Sequence, residues 1–140
     1  IFLNRNFFTI VISNDLKEVS NILILSLSDN QIQIVEEDSF RKFDLLKLLD
    51  LSKNLLNNLY DFTFKDLKNL EFLNLRSNYL EYLNKELFST LYSLLILDLT
   101  NNPIRFIESY SFQNLNLLLE LHLNSNFSII KTEILFGLNE

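Results

Sequence analysis

From Leu70 to Leu80 the chain reads LEFLNLRSNYL: leucines at steps of three and then two, with an asparagine three residues later. A helix repeats its apolar positions every three to four residues and a strand every two, and this stretch keeps to neither period. The same pattern returns in ILILSLSDNQI (Ile22 to Ile32), LKLLDLSKNLL (Leu46 to Leu56), LLILDLTNNPI (Leu94 to Ile104) and LLELHLNSNFS (Leu118 to Ser128). Its asparagines, Asn6, Asn30, Asn54, Asn78, Asn102 and Asn126, fall every 24 residues without a slip. Ten residues after them stand Phe40, Phe64, Phe88, Phe112 and Phe136, with Leu16 in that slot of the first unit. Three further on come Val19, Phe43, Leu67, Leu91 and Leu115, and Leu138 one residue early. Self-similarity at such a period is the mark of a repeat architecture.

The spacing predicts one coil per unit. Leu73 and Leu75, two apart, share the inward face of a short strand. Leu70 and Leu80 flank that strand and turn into the same core. Asn78 stands where the chain bends away and its peptide groups lose sheet partners, and an amide that both donates and accepts can satisfy the bare groups of adjacent coils. A return segment brings Leu83 and Phe88 back to close the other side. No coil buries its own apolar face, so coils stack and their strands form a parallel sheet. In the last unit Ser128 and Lys131 fill otherwise aliphatic slots, and a local shift is expected in which Ile129 or Ile130 recovers the inward position.

The segments match the pattern LxxLxLxxNxL, and the chain resembles the leucine-rich-repeat family over its whole length. The unit of 24 with a late phenylalanine is similar to the class found in Toll-like receptors, Slit-type guidance proteins, small proteoglycans and lamprey lymphocyte receptors. That resemblance implies an α/β fold, a right-handed leucine-rich-repeat solenoid forming a slice of a curved horseshoe, with a concave parallel β-sheet and an irregular or short-helical convex side. It implies non-enzymatic protein recognition, with a protein ligand or co-receptor as partner, within a larger extracellular or cell-surface receptor or adhesion ectodomain. An intracellular, cytoplasmic scaffold or a structural spacer in a longer array are the alternatives. Residues 1–140 read as one array of about six coils. Neither end has the polar cap a terminal repeat needs, so truncation at both ends and self-association through them are expected. The register assigns Arg5 and the FFTIVI that follows Asn6 to the fold rather than to a secretory leader.

Composition narrows the chemistry. Hydrophobic residues are 48% and charged ones 21%, a globular balance. The net charge of −6 argues against nucleic acid, whose phosphates ask for a basic face. No apolar run approaches the roughly 20 residues of a membrane-spanning helix. There is no cysteine, which excludes disulfides and thiolate chemistry, and the single glycine, Gly137, leaves no phosphate-cradling loop. No cofactor is implied.

Function must then rest on positions the repeat leaves free. The outward slots of the strands form three columns on the concave side. The first holds Ile24, Leu48, Phe72, Ile96 and Glu120; the second Phe2, Ser26, Asp50, Asn74, Asp98 and His122; the third Asn4, Ser28, Ser52, Arg76, Thr100 and Asn124. Adjacent strands lie about 4.8 Å apart, so column neighbours are spatial neighbours. Ile24, Leu48, Phe72 and Ile96 make an apolar stripe with a polar border, the usual look of an interaction surface. Phe72, Arg76, Asn74, Asp50 and Asp98 are the expected centre of a ligand-binding site, because aromatic and arginine anchors dominate interfaces.

The other signals are weaker. Asp50 and Asp98 could suggest acid–base work, but an open sheet neither excludes water nor shifts a pKa. His122, beside Asp98 in its column, would form a pH-sensitive contact if the two pair. One imidazole and one carboxylate do not make a metal site. Lys47 and Glu71 should pair across neighbouring strands. The sequon Asn126-Phe127-Ser128 falls on a ladder asparagine whose amide the fold should bury, and is read as coincidence.

Overall fold

The computed structural model describes residues 1–12, 19 and 21–124, and they form a solenoid of parallel strands. Leu16, Asn126, Phe136, Leu138, the sequon and the shift expected at Ser128–Lys131 lie outside the described residues.

Nine strands occur among the described residues: β1 (Ile10–Val11), β2 (Ile24–Ser26), β3 (Ile34–Val35), β4 (Leu48–Asp50), β5 (Phe72–Asn74), β6 (Tyr82–Leu83), β7 (Ile96–Asp98), β8 (Phe106–Ile107) and β9 (Glu120–His122). The concave sheet is parallel throughout, in the order β2-β4-β5-β7-β9. Its register is set by the repeat: Ile24 opposes Leu48, Leu48 opposes Phe72, Phe72 opposes Ile96 and Ile96 opposes Glu120. A parallel bridge from Phe2 to Ser26 extends it by one rung.

Alternation sends the middle residue of each strand inward. Leu25, Leu49, Leu73 and Leu97 are fully buried, joined by Leu27, Leu51, Leu75 and Leu99 two residues on. Backbone bonding between coils continues past the strands, from Leu51 N–H to Asn74 O at 2.9 Å and from Lys53 N–H to Arg76 O at 2.8 Å. The chain then turns inward through a left-handed residue: Arg5, Asp29, Lys53, Ser77 and Asn101 all have φ between 53° and 58°. Each stands immediately before a ladder asparagine, and from Asp29 onward the turn aims that asparagine's side chain into the core.

The amides bridge successive coils. Asn54 Nδ2 donates to Leu51 O of its own coil and to Leu27 O of the preceding one, both at 3.0 Å, while its Oδ1 accepts from Ile32 N–H at 3.0 Å. Asn78 and Asn102 repeat the arrangement one and two coils on. Asn30, Asn54, Asn78 and Asn102 are buried, whereas Asn6 is exposed and its Nδ2 donates to Leu3 O and Asn4 O of its own coil. Among the described residues no buried side-chain N or O lacks a partner. That is the condition under which polar groups can stay in an apolar interior.

The convex return is irregular, and the described residues contain no helix. Its inward residues recur at intervals of three: Phe40, Phe43 and Leu46 in one coil, Phe64, Leu67 and Leu70 in the next, then Phe88, Leu91 and Leu94. An α-helix turns once in 3.6 residues and would rotate such positions off one face. The backbone instead chains turns, Phe43 N–H to Phe40 O and Leu46 N–H to Phe43 O, both at 3.0 Å, and the later coils do likewise. The rings of Phe40, Phe64, Phe88 and Phe112 stack through the core at centroid separations of 6.1, 6.4 and 5.9 Å.

Candidate functional site

The strand register brings the first concave column together. Leu48, Phe72 and Ile96 sit side by side on β4, β5 and β7, each half-buried, and Ile24 on β2 ends the row at 40% exposure. Glu120 on β9 closes the stripe with a charge. Phe72 is thus displayed on the face with aliphatic neighbours on both flanks, a setting in which an aromatic ring offers a large contact area already held in place.

The second column has a task of its own. Asp50 Oδ1 accepts from Ser52 N–H at 2.9 Å, Asn74 Oδ1 from Arg76 N–H at 3.0 Å, and Asp98 Oδ1 from Thr100 N–H at 2.9 Å. These short side chains satisfy the outward-pointing amide two residues on, a local competition with the sheet that Asp and Asn perform well. One oxygen of each is therefore engaged in shaping the strand exit.

His122 turns away from Asp98. It is the register partner of Asp98, yet its Nε2 lies 2.8 Å from Glu120 Oε2, two residues back on the same face of β9. Asp98 is meanwhile held by Thr100, whose Oγ1 donates to Asp98 Oδ1 at 2.6 Å. A hydroxyl and an amide two residues along the same chain segment outcompete an imidazole on the next strand. The condition for a pH-sensitive Asp98–His122 contact is therefore not met, and His122 pairs with Glu120 instead.

In the third column Arg76 is exposed and forms no ion pair among the described residues. Asn124 is engaged by the neighbouring coil: its Nδ2 donates to Asn102 O at 2.7 Å and its Oδ1 accepts from Asn101 N–H at 2.6 Å. At the strand entry Lys47 Nζ meets Glu71 Oε1 at 2.7 Å across neighbouring coils, with both side chains nearly half exposed. Such a pair contributes at most about 1 kcal/mol.

Among the described residues no group of three or more His, Cys, Asp and Glu could hold a metal. No helix among them is long and apolar enough to cross a membrane.

The family model described as leucine rich repeat matches residues 20–80, 44–104 and 73–127, overlapping windows that span most of the chain. The chain belongs to the leucine-rich-repeat family. The family is generally a non-enzymatic fold for protein interaction. A comparison with curated proteins gives no match.

Solved leucine-rich-repeat structures share the architecture. The LRIM1/APL1C complex is 24% identical with a TM-score of 0.76, covering 80% of this chain and 21% of that one. The TLR13–ssRNA13 complex is 24% identical with a TM-score of 0.70, covering 94% and 22%. The leucine-rich-repeat ectodomain of the receptor kinase SOBIR1 from Arabidopsis thaliana is 23% identical with a TM-score of 0.55, covering 81% and 64%. The chain thus spans about a fifth of the first two neighbours' chains.

Sequence reasoning missed a second surface, on the flank where each coil leaves its ladder asparagine. β1 pairs with β3 and β6 with β8, both parallel. The rings of Tyr82 and Phe106 stack there at 5.6 Å and 4°, both exposed. The signal was present in the repeat: Ile10, Ile34, Asn58, Tyr82 and Phe106 also recur every 24 residues.

Proposed function

We propose that this leucine-rich-repeat segment recognises a protein through its concave face, as part of a larger receptor or adhesion ectodomain. The observation that carries the reading is the juxtaposition on β5 and its exit of Phe72, set in the stripe of Leu48 and Ile96, with Arg76, exposed and without an ion pair among the described residues. An aromatic ring and a guanidinium displayed on one outward row are the side chains that most often dominate protein interfaces. Asp50, Asn74, Asp98 and His122 form the polar border, and Ile24, Leu48 and Ile96 the apolar floor. Positions fixed by stacked coils lose little freedom on binding, so a rigid sheet turns contact area into affinity efficiently.

Two things support an extracellular setting, the repeat class and the receptor-kinase ectodomain among the structural neighbours, and the neighbour that is a complex of two named proteins supports a protein partner. One neighbour is a complex with single-stranded RNA. The net charge of −6 here favours a protein partner over phosphate-bearing RNA. No chemistry in the face supports catalysis, and the proposed role is non-enzymatic.

The test places a photoreactive phenylalanine analogue at position 72, or at exposed Lys68 as control, in the parent protein incubated with extracts of its source organism. The expected result is a discrete protein adduct from position 72 that is lost when Arg76→Ala is added. Equal adducts from both positions, or an adduct indifferent to Arg76→Ala, would overturn the concave-face reading.

A further inference from the structure

Among the described residues the flank sheet is interrupted between β3 and β6. β3 and β6 belong to the second and fourth coils, and the third coil between them carries Asn58 where its neighbours carry Ile34 and Tyr82. Asn58 and Leu59 form no strand, and a cleft of about 630 Å³ opens at the break. Its walls are aromatic: Tyr60 and Phe62 from the third coil and Tyr82 from the fourth, exposed at 54%, 41% and 47%. Phe62 stands there in a left-handed conformation, φ 60°. Tyr82 is braced from behind by Phe106.

The rim is anionic. Glu37, Asp61, Glu86 and Glu108 line the cleft with Lys85, and Glu37 is already met by Lys65 Nζ at 3.5 Å, which leaves Asp61, Glu86 and Glu108 as the carboxylates at the mouth. Asp61 and Glu86 form no ion pair among the described residues. Glu108 Oε2 is fixed by Tyr82 Oη–H at 3.2 Å and by Lys85 N–H at 3.0 Å, so one carboxylate is held at the mouth in a set orientation. Desolvation, and then the carboxylates of Glu108 and Asp61, keep the Tyr82 phenol protonated above its ordinary range.

We propose that this cleft receives an arginine side chain from a partner protein, at a second interaction surface distinct from the concave face. A guanidinium stacks on aromatic rings and donates in a planar fork to carboxylates, and both groups are supplied here. A lysine ammonium is a point charge that pays more to leave water and gains less from flat walls. An anionic or purely apolar occupant would leave Asp61 and Glu86 unanswered. The arginine contact stands independently of the concave site.

The test is fluorescence anisotropy of the chain with a labelled Arg-Gly-Arg peptide, its citrulline counterpart of the same shape without charge, and its lysine counterpart. The expected result is saturable arginine-peptide binding, about tenfold weaker with lysine and absent with citrulline. Asp61→Asn with Glu86→Gln, which removes charge without changing packing, should weaken it about tenfold, as should Tyr60→Ala. Asp50→Asn with Asp98→Asn, the same charge change on the concave face, should leave it within about twofold. Equal binding of the citrulline peptide, no loss in the flank double variant, or equal loss in the concave one would each overturn the proposal. Sedimentation provides the remaining arm. A dimer of the unmodified chain that the flank double variant dissociates would make a second copy the occupant, and would likewise overturn it.

Discussion

Asn78 Oδ1 accepts the amide hydrogen of Leu56, one coil back, at 3.1 Å. The same side chain donates through Nδ2 to Leu51 O, also one coil back, and to Leu75 O of its own coil, both at 3.0 Å. It thereby closes three backbone groups that the bend removes from the sheet. Asn78→Ala should cost about 1–3 kcal/mol, the penalty for buried groups left without partners. Asn78→Asp should cost more, because it sets a carboxylate against two carbonyl oxygens. Urea unfolding of both variants checks the order.

The phenylalanine stack makes a sharper statement about the solenoid. Truncating Phe88 to Ala should destabilise by about 3–5 kcal/mol through lost burial and a cavity. Phe64 and Phe88 touch, at 6.4 Å between ring centres and 4° between planes, whereas Phe40 and Phe112 lie at opposite ends of the row. Double-mutant cycles of Phe→Leu should therefore give a coupling of about 0.5–1.5 kcal/mol for Phe64 with Phe88. Phe40 with Phe112 should be additive.

The fold was legible because each coil must satisfy the same inward geometry, so a slot filled by Leu49 in one coil is filled by Leu73 and Leu97 in the next. The concave columns followed from that register. Two things were not legible. The contest for Asp98 between His122 and Thr100 turns on side-chain reach, which spacing does not encode. The flank stack of Tyr82 on Phe106 lies at positions the leucine pattern leaves undefined, although its column repeats just as regularly and only Asn58 breaks it.

The ion pair of Lys65 with Asp38, 2.7 Å from Nζ to Oδ1, makes a prediction about pH. The hydrogen bond from Lys65 holds the Asp38 carboxyl below its ordinary 3.8. The same bond, aided by Glu37, raises the Lys65 ammonium above 10.5. A lowered carboxyl contributes stability above its unfolded value and loses it as pH falls through the folded one. A raised ammonium contributes below its unfolded value and loses it as pH climbs through the folded one. The contribution should be flat between those limits. Carboxyl carbon shifts should show Asp38 titrating at lower pH in the unmodified chain than in Lys65→Met. Both side chains are partly open to solvent, at 34% and 39%, so the amplitude in stability should be small.

The turn before each ladder asparagine offers the last prediction. Lys53 is exposed and holds φ 53°, where its Cβ crowds the backbone at a cost of roughly 1–2 kcal/mol for a residue other than glycine. Glycine removes that strain and gives back roughly 0.5–1 kcal/mol in chain entropy. Lys53→Gly should thus raise stability by up to about 1 kcal/mol, with the residue 53 N–H still donating to Arg76 O. Lys53→Val puts a β-branched side chain where the left-handed region tolerates it least, and should lower stability by roughly 1 kcal/mol or more. Thermal unfolding of the pair reads the difference directly. The opposite order would mean that the ladder asparagine, rather than a left-handed residue before it, is what sets the bend.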